Sequence, residues 1–373
     1  MRKVCLFNYP PMADFHGYRV ETFDPLSYFS RGAHWGLDDL FRKGSFGYDK
    51  RSAMIAGAAG VDRLYRERDP GYMRMVADFV DRFRDFDLIV MSSYNFLHPE
   101  VLAGPLRRAT KILGFIDDPY SSYSRGIPYL WAFDGAFYIS PSYIDNQGFE
   151  DALARWSGKP AVWWPLVPYA HRRPQRSDEA FFRDRDVEVV YVGNPSATKV
   201  DRLIELKRHF GSRLRVHGRW QFKGYVGIAR GLLGKPVYPH RVLGLSETDR
   251  TALYWRTRIG FNMHVSDRPC ETGNMRMYET PAHGMMMVCD KGGADAHAGI
   301  FAPATQAVYY DSTKHAIELM EHYLHAEDER VRIARAGFER YWRDYEWEAN
   351  MRRFLDWGMA LREKTANGGE STA

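Results

Sequence analysis

Val187-Glu188-Val189-Val190-Tyr191-Val192-Gly193-Asn194-Pro195-Ser196, with a helical pattern following over residues 199–210, is the stretch on which the fold turns. A short run of β-branched and aromatic residues stops at a glycine and gives way to 3.6-residue periodicity, the signature of a strand, a tight turn and a helix. A glycine at such a turn lets backbone approach a ligand, and the helix start offers free N–H groups and a positive dipole end to an anion. Lys199 and Arg202 add cations near that end. The same residues also suit an ordinary tight turn beside a solvated helix face, because a single glycine stands where dinucleotide sites carry three.

Working outward, the unit repeats. Downstream, strands are expected at residues 213–218, 259–264, 285–289 and 308–310, with helices at 313–324 and from 327 nearly to 362. Upstream, strand signals fall at 3–8, 87–92, 111–116, 135–139 and 161–165. Between them Met73, Val76, Ala77, Val80 and Phe83 share one face of a helix over 72–83. Leu88-Ile89-Val90-Met91 is a continuous apolar run, the mark of a strand covered on both faces. Strands alternating with helices imply parallel, doubly wound α/β sheets. The polar stretch 171–185 divides two such series, so two Rossmann-like domains are expected, at 1–175 and 186–345. A helix over 346–362 should pack back on the first through Trp347, Met351, Phe354, Leu355 and Trp357, followed by a disordered tail at 363–373.

Length and composition agree. A chain of 373 residues exceeds one typical core and suits two. Its 45% hydrophobic and 27% charged content is that of a soluble globular protein. The net charge of +5 is mild for this length, so it favours an anionic small ligand as much as a polyanion. Cys5, Cys270 and Cys289 have no metal-site spacing and cannot form a disulfide framework; Cys5 and Cys289 read as core thiols. No apolar run is long enough to cross a membrane and the start does not read as a signal peptide, so a cytoplasmic location is expected.

The chemistry concentrates in Glu271-Thr272-Gly273-Asn274-Met275-Arg276-Met277-Tyr278-Glu279, which precedes Ala282, Gly284 and the apolar run 285–288. Residues 274–283 read as a helix, which puts Glu279 on it and Glu271 in the loop before it. Carboxylates at the carboxyl end of an α/β sheet suit a polyhydroxylated ligand, since each accepts several charge-assisted hydrogen bonds. Arg276 stands three residues before Glu279, on the same helical face. The two read either as a surface ion pair or as a cation for a diphosphate beside a carboxylate for ribose. His264 closes an apolar run in which Asn262 is the polar exception; it is either a satisfied core histidine or a residue facing the cleft. Asp117 and Asp118 end a buried strand, where one carboxylate can act as general base and the other can form a turn into Pro119. Asp14 and His16, in the loop after the first strand, are further candidates on that side. Histidines and acids never fall into a local metal-ligand spacing, so no metal is expected.

These motifs together resemble a known family. Glu271-x7-Glu279 with Ala282-x-Gly284 is similar to the Glu-x7-Glu segment of nucleotide-sugar-dependent, family 4-like glycosyltransferases of the GT-B fold, in particular the CgeB-like (spore-maturation protein) group. Val190-Tyr191-Val192-Gly193, His217-Gly218-Arg219-Trp220, Arg258 to His264, residues 328–337 and Tyr345-Glu346-Trp347 agree in order and spacing. The likeness covers residues 188–357 well and the first half loosely, through Asp117-Asp118-Pro119 and Phe133 to Phe137; residues 221–239 are longer and more basic than the family pattern. The resemblance implies two Rossmann-like domains facing a cleft, the first for the acceptor and the second for a nucleoside-diphosphate sugar. It implies Glu279 on the ribose, Glu271 toward the donor sugar, and Gly193, Asn194, Lys199, Arg202, Asn262, His264, Gly273, Asn274 and Arg276 around the donor. It further implies no metal, no cofactor other than the sugar-nucleotide co-substrate, and a lean toward retention of anomeric configuration. Asp118, then Asp14 or His16, is the expected acceptor base. The acceptor stays open: a small molecule, a glycan, or a polymer including modified DNA. A non-catalytic sugar-nucleotide or protein-binding module is the reading from another class, which fold alone does not settle.

Overall fold

The computed structural model describes residues 1–7, 14–28, 57–92, 97–115, 126–139, 155, 157–165, 173–193, 197–218, 229, 231–235, 243–264, 274–291 and 299–368. The chain divides into two compact units, Met1–Pro165 with Asn350–Ala373, and Leu166–Ala349.

The first unit is built on a six-stranded sheet in the order β2-β1-β3-β4-β5-β6, comprising β1 (Arg2–Phe7), β2 (Tyr18–Phe23), β3 (Leu88–Ser92), β4 (Thr110–Phe115), β5 (Gly135–Tyr138) and β6 (Ala161–Trp163). Every pairing is parallel. β3, β4 and β5 are buried along their whole length, as the apolar runs Leu88–Met91, Ile112–Phe115 and Ala136–Tyr138 require. β2 was not expected. Its sequence, Tyr-Arg-Val-Glu-Thr-Phe, buries Tyr18, Val20 and Phe23 while Arg19 is exposed and Glu21 and Thr22 are partly covered, the mixed pattern of an edge strand. The described helices of this unit are α1 (Gly57–Arg66), α2 (Pro70–Phe83) and α3 (Pro99–Ala103). Asp69 caps α2 by accepting from Tyr72 N, and Pro70 stands at its first position.

The second unit has a five-stranded parallel sheet, ordered β11-β10-β9-β7-β8, from β7 (Val187–Val192), β8 (Leu214–His217), β9 (Thr257–Asn262), β10 (Met286–Asp290) and β11 (Val308–Tyr310). Its order reverses between β7 and β9, the topological switch point outside which doubly wound sheets hold ligands at the strands' carboxyl ends. The helices are α4 (Glu179–Arg183), α5 (Ala197–Phe210), α6 (Glu247–Trp255), α7 (Arg276–Ala282), α8 (Thr313–His325) and α9 (Glu327–Asp344). α6 carries a cue in its sequence: Ser246 accepts from Asp249 N at 3.1 Å, and Glu247 and Asp249 load its first turn with negative charge. α7 lies close over β9 because Gly260 has no Cβ, which would stand 2.4 Å from Thr280 Cγ2.

The last helix, α10 (Trp347–Gly368), enters the first unit at Asn350. Phe354 stacks on Trp164 with ring centroids 4.1 Å apart and meets Phe137 edge-on at 5.1 Å. Gly358 lies against Leu88 and Ile112, with no room for a Cβ. No described helix is long and apolar enough to cross a membrane. Because Phe354 is buried among these aromatic rings, Phe354→Ala should cost about 3–5 kcal/mol, read as a lowered midpoint of urea unfolding.

Candidate functional site

At the switch point of the second sheet the guanidinium of Arg276, the first residue of α7, spans two strand ends. Its Nη1 donates to Val192 O at the end of β7 (3.2 Å), its Nη2 to Met263 O just past β9 (3.0 Å), and its Nε to Asn262 Oδ1 (2.9 Å). The guanidinium lies over the ring of Tyr191 at 5.2 Å. None of its partners is a carboxylate, so a half-buried cation sits at the sheet's carboxyl edge without an ion-pair partner among the described residues. Gly193 makes this approach feasible: a Cβ there would fall 2.3 Å from Arg276 Nη1 and 2.9 Å from the Tyr191 hydroxyl. Gly218, at φ +155°, is equally constrained, since its Cβ would meet Gly193 O at 2.1 Å.

Asn262, the polar exception in β9, owes its burial to these contacts. Its amide donates to Cys289 Sγ at 3.3 Å while its oxygen takes the Arg276 Nε proton. Asn274 steadies the start of α7 from the other side: Nδ2 donates to Met263 O (3.1 Å) and Oδ1 accepts from Arg276 N (3.1 Å).

One turn into α7, Glu279 is buried. Arg276 does not pair with it. Its carboxylate instead faces α6, where Arg250 Nη1 is 3.6 Å from Oε1 and the Tyr254 hydroxyl donates to Oε2 at 3.3 Å. Burial, and then the nearby Glu279 charge, hold Tyr254 well above the ordinary phenol pKa, so it keeps the proton it donates. Glu279 Oε1 is buried and accepts no hydrogen bond from the described residues. A buried carboxylate oxygen with acceptor capacity to spare is what a hydroxylated ligand requires.

His264 is also buried, and its ring is oriented by Asp290 at the end of β10. Nδ1 lies 2.6 Å from Asp290 Oδ1, and Asp290 Oδ2 accepts from His264 N at 2.9 Å. Asn274 N approaches His264 Nε2 at 3.4 Å, so the histidine links β9, β10 and the start of α7. His264, Cys289 and Asp290 bring their ligand-type atoms within 4.8 Å of one another. No sequence spacing reveals that cluster, because its members come from the ends of two adjacent strands. The Asp290 oxygens are engaged by His264, and Arg202 of α5 brings a guanidinium to 3.8 Å, so hydrogen bonds and an ion pair brace the cluster.

The expected site residues thus separate. Gly193, Asn262, His264, Asn274, Arg276 and Glu279 gather around the carboxyl end of the second sheet and α7; Lys199 is buried in α5, and Arg202 pairs with Asp290. Asn194, Gly273, Glu271 and Asp118 lie outside the described residues. Asp14 and His16 require correction as catalytic candidates. β2 runs parallel to β1 with Tyr18 beside Arg2, and Arg2 N donates to Gly17 O, so both residues stand at the amino end of the first sheet. His16 (φ +42°) and Gly17 (φ +89°) form the two-residue turn between Phe15 and Tyr18, and Asp14 Oδ1 accepts from Val20 N. The pair builds the entry into an edge strand.

Reading the sequence missed a polar cluster in the first unit. His98 follows β3, stacks on Tyr65 with centroids 3.9 Å apart, and has Nε2 3.6 Å from Asp62 Oδ1. Its Nδ1 accepts from Glu100 N at the start of α3. Both ring nitrogens are therefore engaged, which makes this histidine a helix cap and a brace rather than a base.

Comparison with known proteins places this geometry in context. Residues 199–356 match the family model described as glycosyl transferase-like. No curated protein matches the chain. Among solved structures, sucrose-phosphate synthase from Thermosynechococcus elongatus superposes with a TM-score of 0.60 at 14% identity, covering 98% of this chain and 100% of that one. An alpha-glucosyltransferase in complex with UDP-glucose and DNA containing an abasic site gives 0.56 at 10% identity, covering 95% and 99%. Anabaena Alr3699/HepE in complex with UDP-glucose gives 0.52 at 11% identity, covering 100% of both chains. The two parallel-sheet α/β domains are those of the GT-B glycosyltransferase fold.

The site makes one prediction independent of any ligand. His283, which follows α7, is buried, contacts Glu279 O through Nδ1 at 2.7 Å, and is pushed down to about 4 by burial. The fold therefore holds it neutral while the unfolded chain titrates near about 6.5. Its contribution to stability is complete above that value and is lost as pH falls through about 4. Urea midpoints measured from pH 7 to pH 4 should fall over this window, and His283→Leu should flatten the fall.

Proposed function

We propose that this chain transfers a sugar from a nucleoside-diphosphate sugar to an acceptor hydroxyl, with the donor held by the second unit. The observation that carries this reading is the division of α7: at its start a cation with no carboxylate partner, and one turn later a buried carboxylate with an oxygen that accepts no hydrogen bond from the described residues. Arg276 suits a diphosphate at the switch point, next to the glycine turn and the start of α5. Glu279 suits the ribose hydroxyls, since a second acceptor bond there satisfies Oε1. The UDP-glucose bound in two fold relatives makes UDP the first nucleotide to try. The order of the motifs from Val190 to Trp347 supports a place in the CgeB-like group.

On this reading the leaving diphosphate's growing charge is stabilised by Arg276 and by N–H groups at the turn, with Lys199 and Arg202 on the adjoining helix. A guanidinium at that position supplies the electrostatic role that a divalent cation takes elsewhere, so the reaction is proposed to be metal-independent. Asp118 is the proposed acceptor base, with Glu271 toward the donor sugar and retention the proposed outcome.

A polymer acceptor is the second reading, favoured by residues 223–241, where Lys223, Arg230, Lys235 and Arg241 occur without a single acid. Binding of a polyanion there would weaken steeply as salt is raised. A flat salt response of activity on a polymer acceptor would remove that option.

The main test is binding followed by turnover. UDP should raise the thermal midpoint of the parent protein, and Glu279→Ala should weaken UDP affinity by roughly one to two orders of magnitude. Glu271→Ala should lower turnover of UDP-glucose more than it lowers affinity. If both variants bind and hydrolyse the sugar nucleotide as the parent does, the assignment is wrong.

A further inference from the structure

The hydroxyl of Tyr191 makes no hydrogen bond with any described residue. Tyr191 is the fifth residue of β7 and is fully buried in the core that also holds Val189, Leu203 and Phe261. Its ring lies beneath the Arg276 guanidinium, and its oxygen reaches the carboxyl edge of the strand, 2.9 Å from the position a Cβ on Gly193 would occupy. That oxygen accepts and donates no hydrogen bond among the described residues. Phenylalanine would fill the same core without burying a polar group, so the hydroxyl carries a desolvation cost that folding alone does not offset. Burial also holds the phenol above its ordinary pKa, and at neutral pH the group is an O–H donor.

The surroundings define the acceptor. Of the charged side chains acting on the hydroxyl, the Arg276 cation comes first, ahead of the Asp290 carboxylate, and the backbone beside it is a glycine closed to any side chain. A neutral hydroxyl of a sugar would find the cation unpaired there. A phosphate oxygen satisfies the phenol proton and the guanidinium charge together. We propose that the Tyr191 hydroxyl donates a hydrogen bond to a phosphate oxygen seated at Gly193, so that Tyr191 and Arg276 form one anion-binding pair. The inference rests on the donor-site reading above and adds to it a residue that no motif marks.

The test is Tyr191→Phe, which keeps the ring and removes one oxygen. With UDP as probe, affinity should fall by at least about tenfold, and inorganic pyrophosphate should lose affinity in parallel, whereas uridine should bind as it does to the parent. In the absence of ligand the variant should melt at the parent's temperature or above it, because an unpaired buried hydroxyl has been removed. A lower melting temperature with unchanged UDP affinity would show the hydroxyl to be structural and overturn the proposal. Unchanged UDP affinity at an unchanged melting temperature would overturn it as well. Failure of the parent to bind either UDP or pyrophosphate would instead overturn the donor-site reading, and this proposal with it.

Discussion

The arrangement of the second unit depends on one guanidinium. Arg276 ties the ends of β7 and β9 to the start of α7 through Val192 O, Met263 O and Asn262 Oδ1. Strand ends at a switch point diverge, because the helices that follow them leave to opposite faces of the sheet. Carbonyls there lose their ladder partners, and a planar five-donor group can satisfy several at once. The cost is a positive charge left without a carboxylate in a half-buried place. That charge is tolerable where an anion is the intended occupant, which links the way the sheet end is closed to what the site can hold.

α7 shows how a short segment separates two chemistries. It has seven residues and a proline inside it, so its own helical stability is slight and tertiary contacts must hold it. Its start is fixed by Arg276, by Asn274 and through Asn274 N by the Asp290-braced His264. Its middle places Glu279 toward α6, so cation and carboxylate, three residues apart, work in different directions instead of neutralising one another. An ion pair between them would have consumed both.

Much of this was legible from sequence where one local rule decided the outcome. Apolar runs within β3, β4 and β10 identify buried strands, and the alternation with helices identifies parallel sheets. The Gly193 turn was visible because only a glycine fits there. β2 was missed because a half-exposed edge strand with Arg19 and Glu21 looks like a loop, and that error made Asp14 and His16 look like site residues. The partners of Glu279 and His264 were not legible at all. Arg250 is 29 residues from Glu279, and Asp290 is 26 from His264; only the fold brings them together. Helical spacing suggested an Arg276–Glu279 pair, but the strand-end carbonyls compete more effectively for a guanidinium at a helix start.

The opposite end of the same sheet explains why the site can be held so firmly. Arg185 is buried and is bound by no carboxylate; its donors go to Phe181 O, Tyr254 O, Thr257 O and His283 O. Tyr254 lies in the last turn of α6 and His283 follows α7, so two of these acceptors lie at helix carboxyl ends, where the backbone dipoles are negative. Those dipoles offset a charge that would otherwise be costly to bury. The same guanidinium thereby fixes the ends of the two helices whose side chains, Tyr254 and Glu279, meet across the gap between them. Gly284 completes the joint, because a Cβ there would lie 2.7 Å from Arg185 Nη2. With Arg276 holding the start of α7 and Arg185 its end, the carboxylate at its centre has little freedom to move, and its spare acceptor oxygen is presented in a fixed direction.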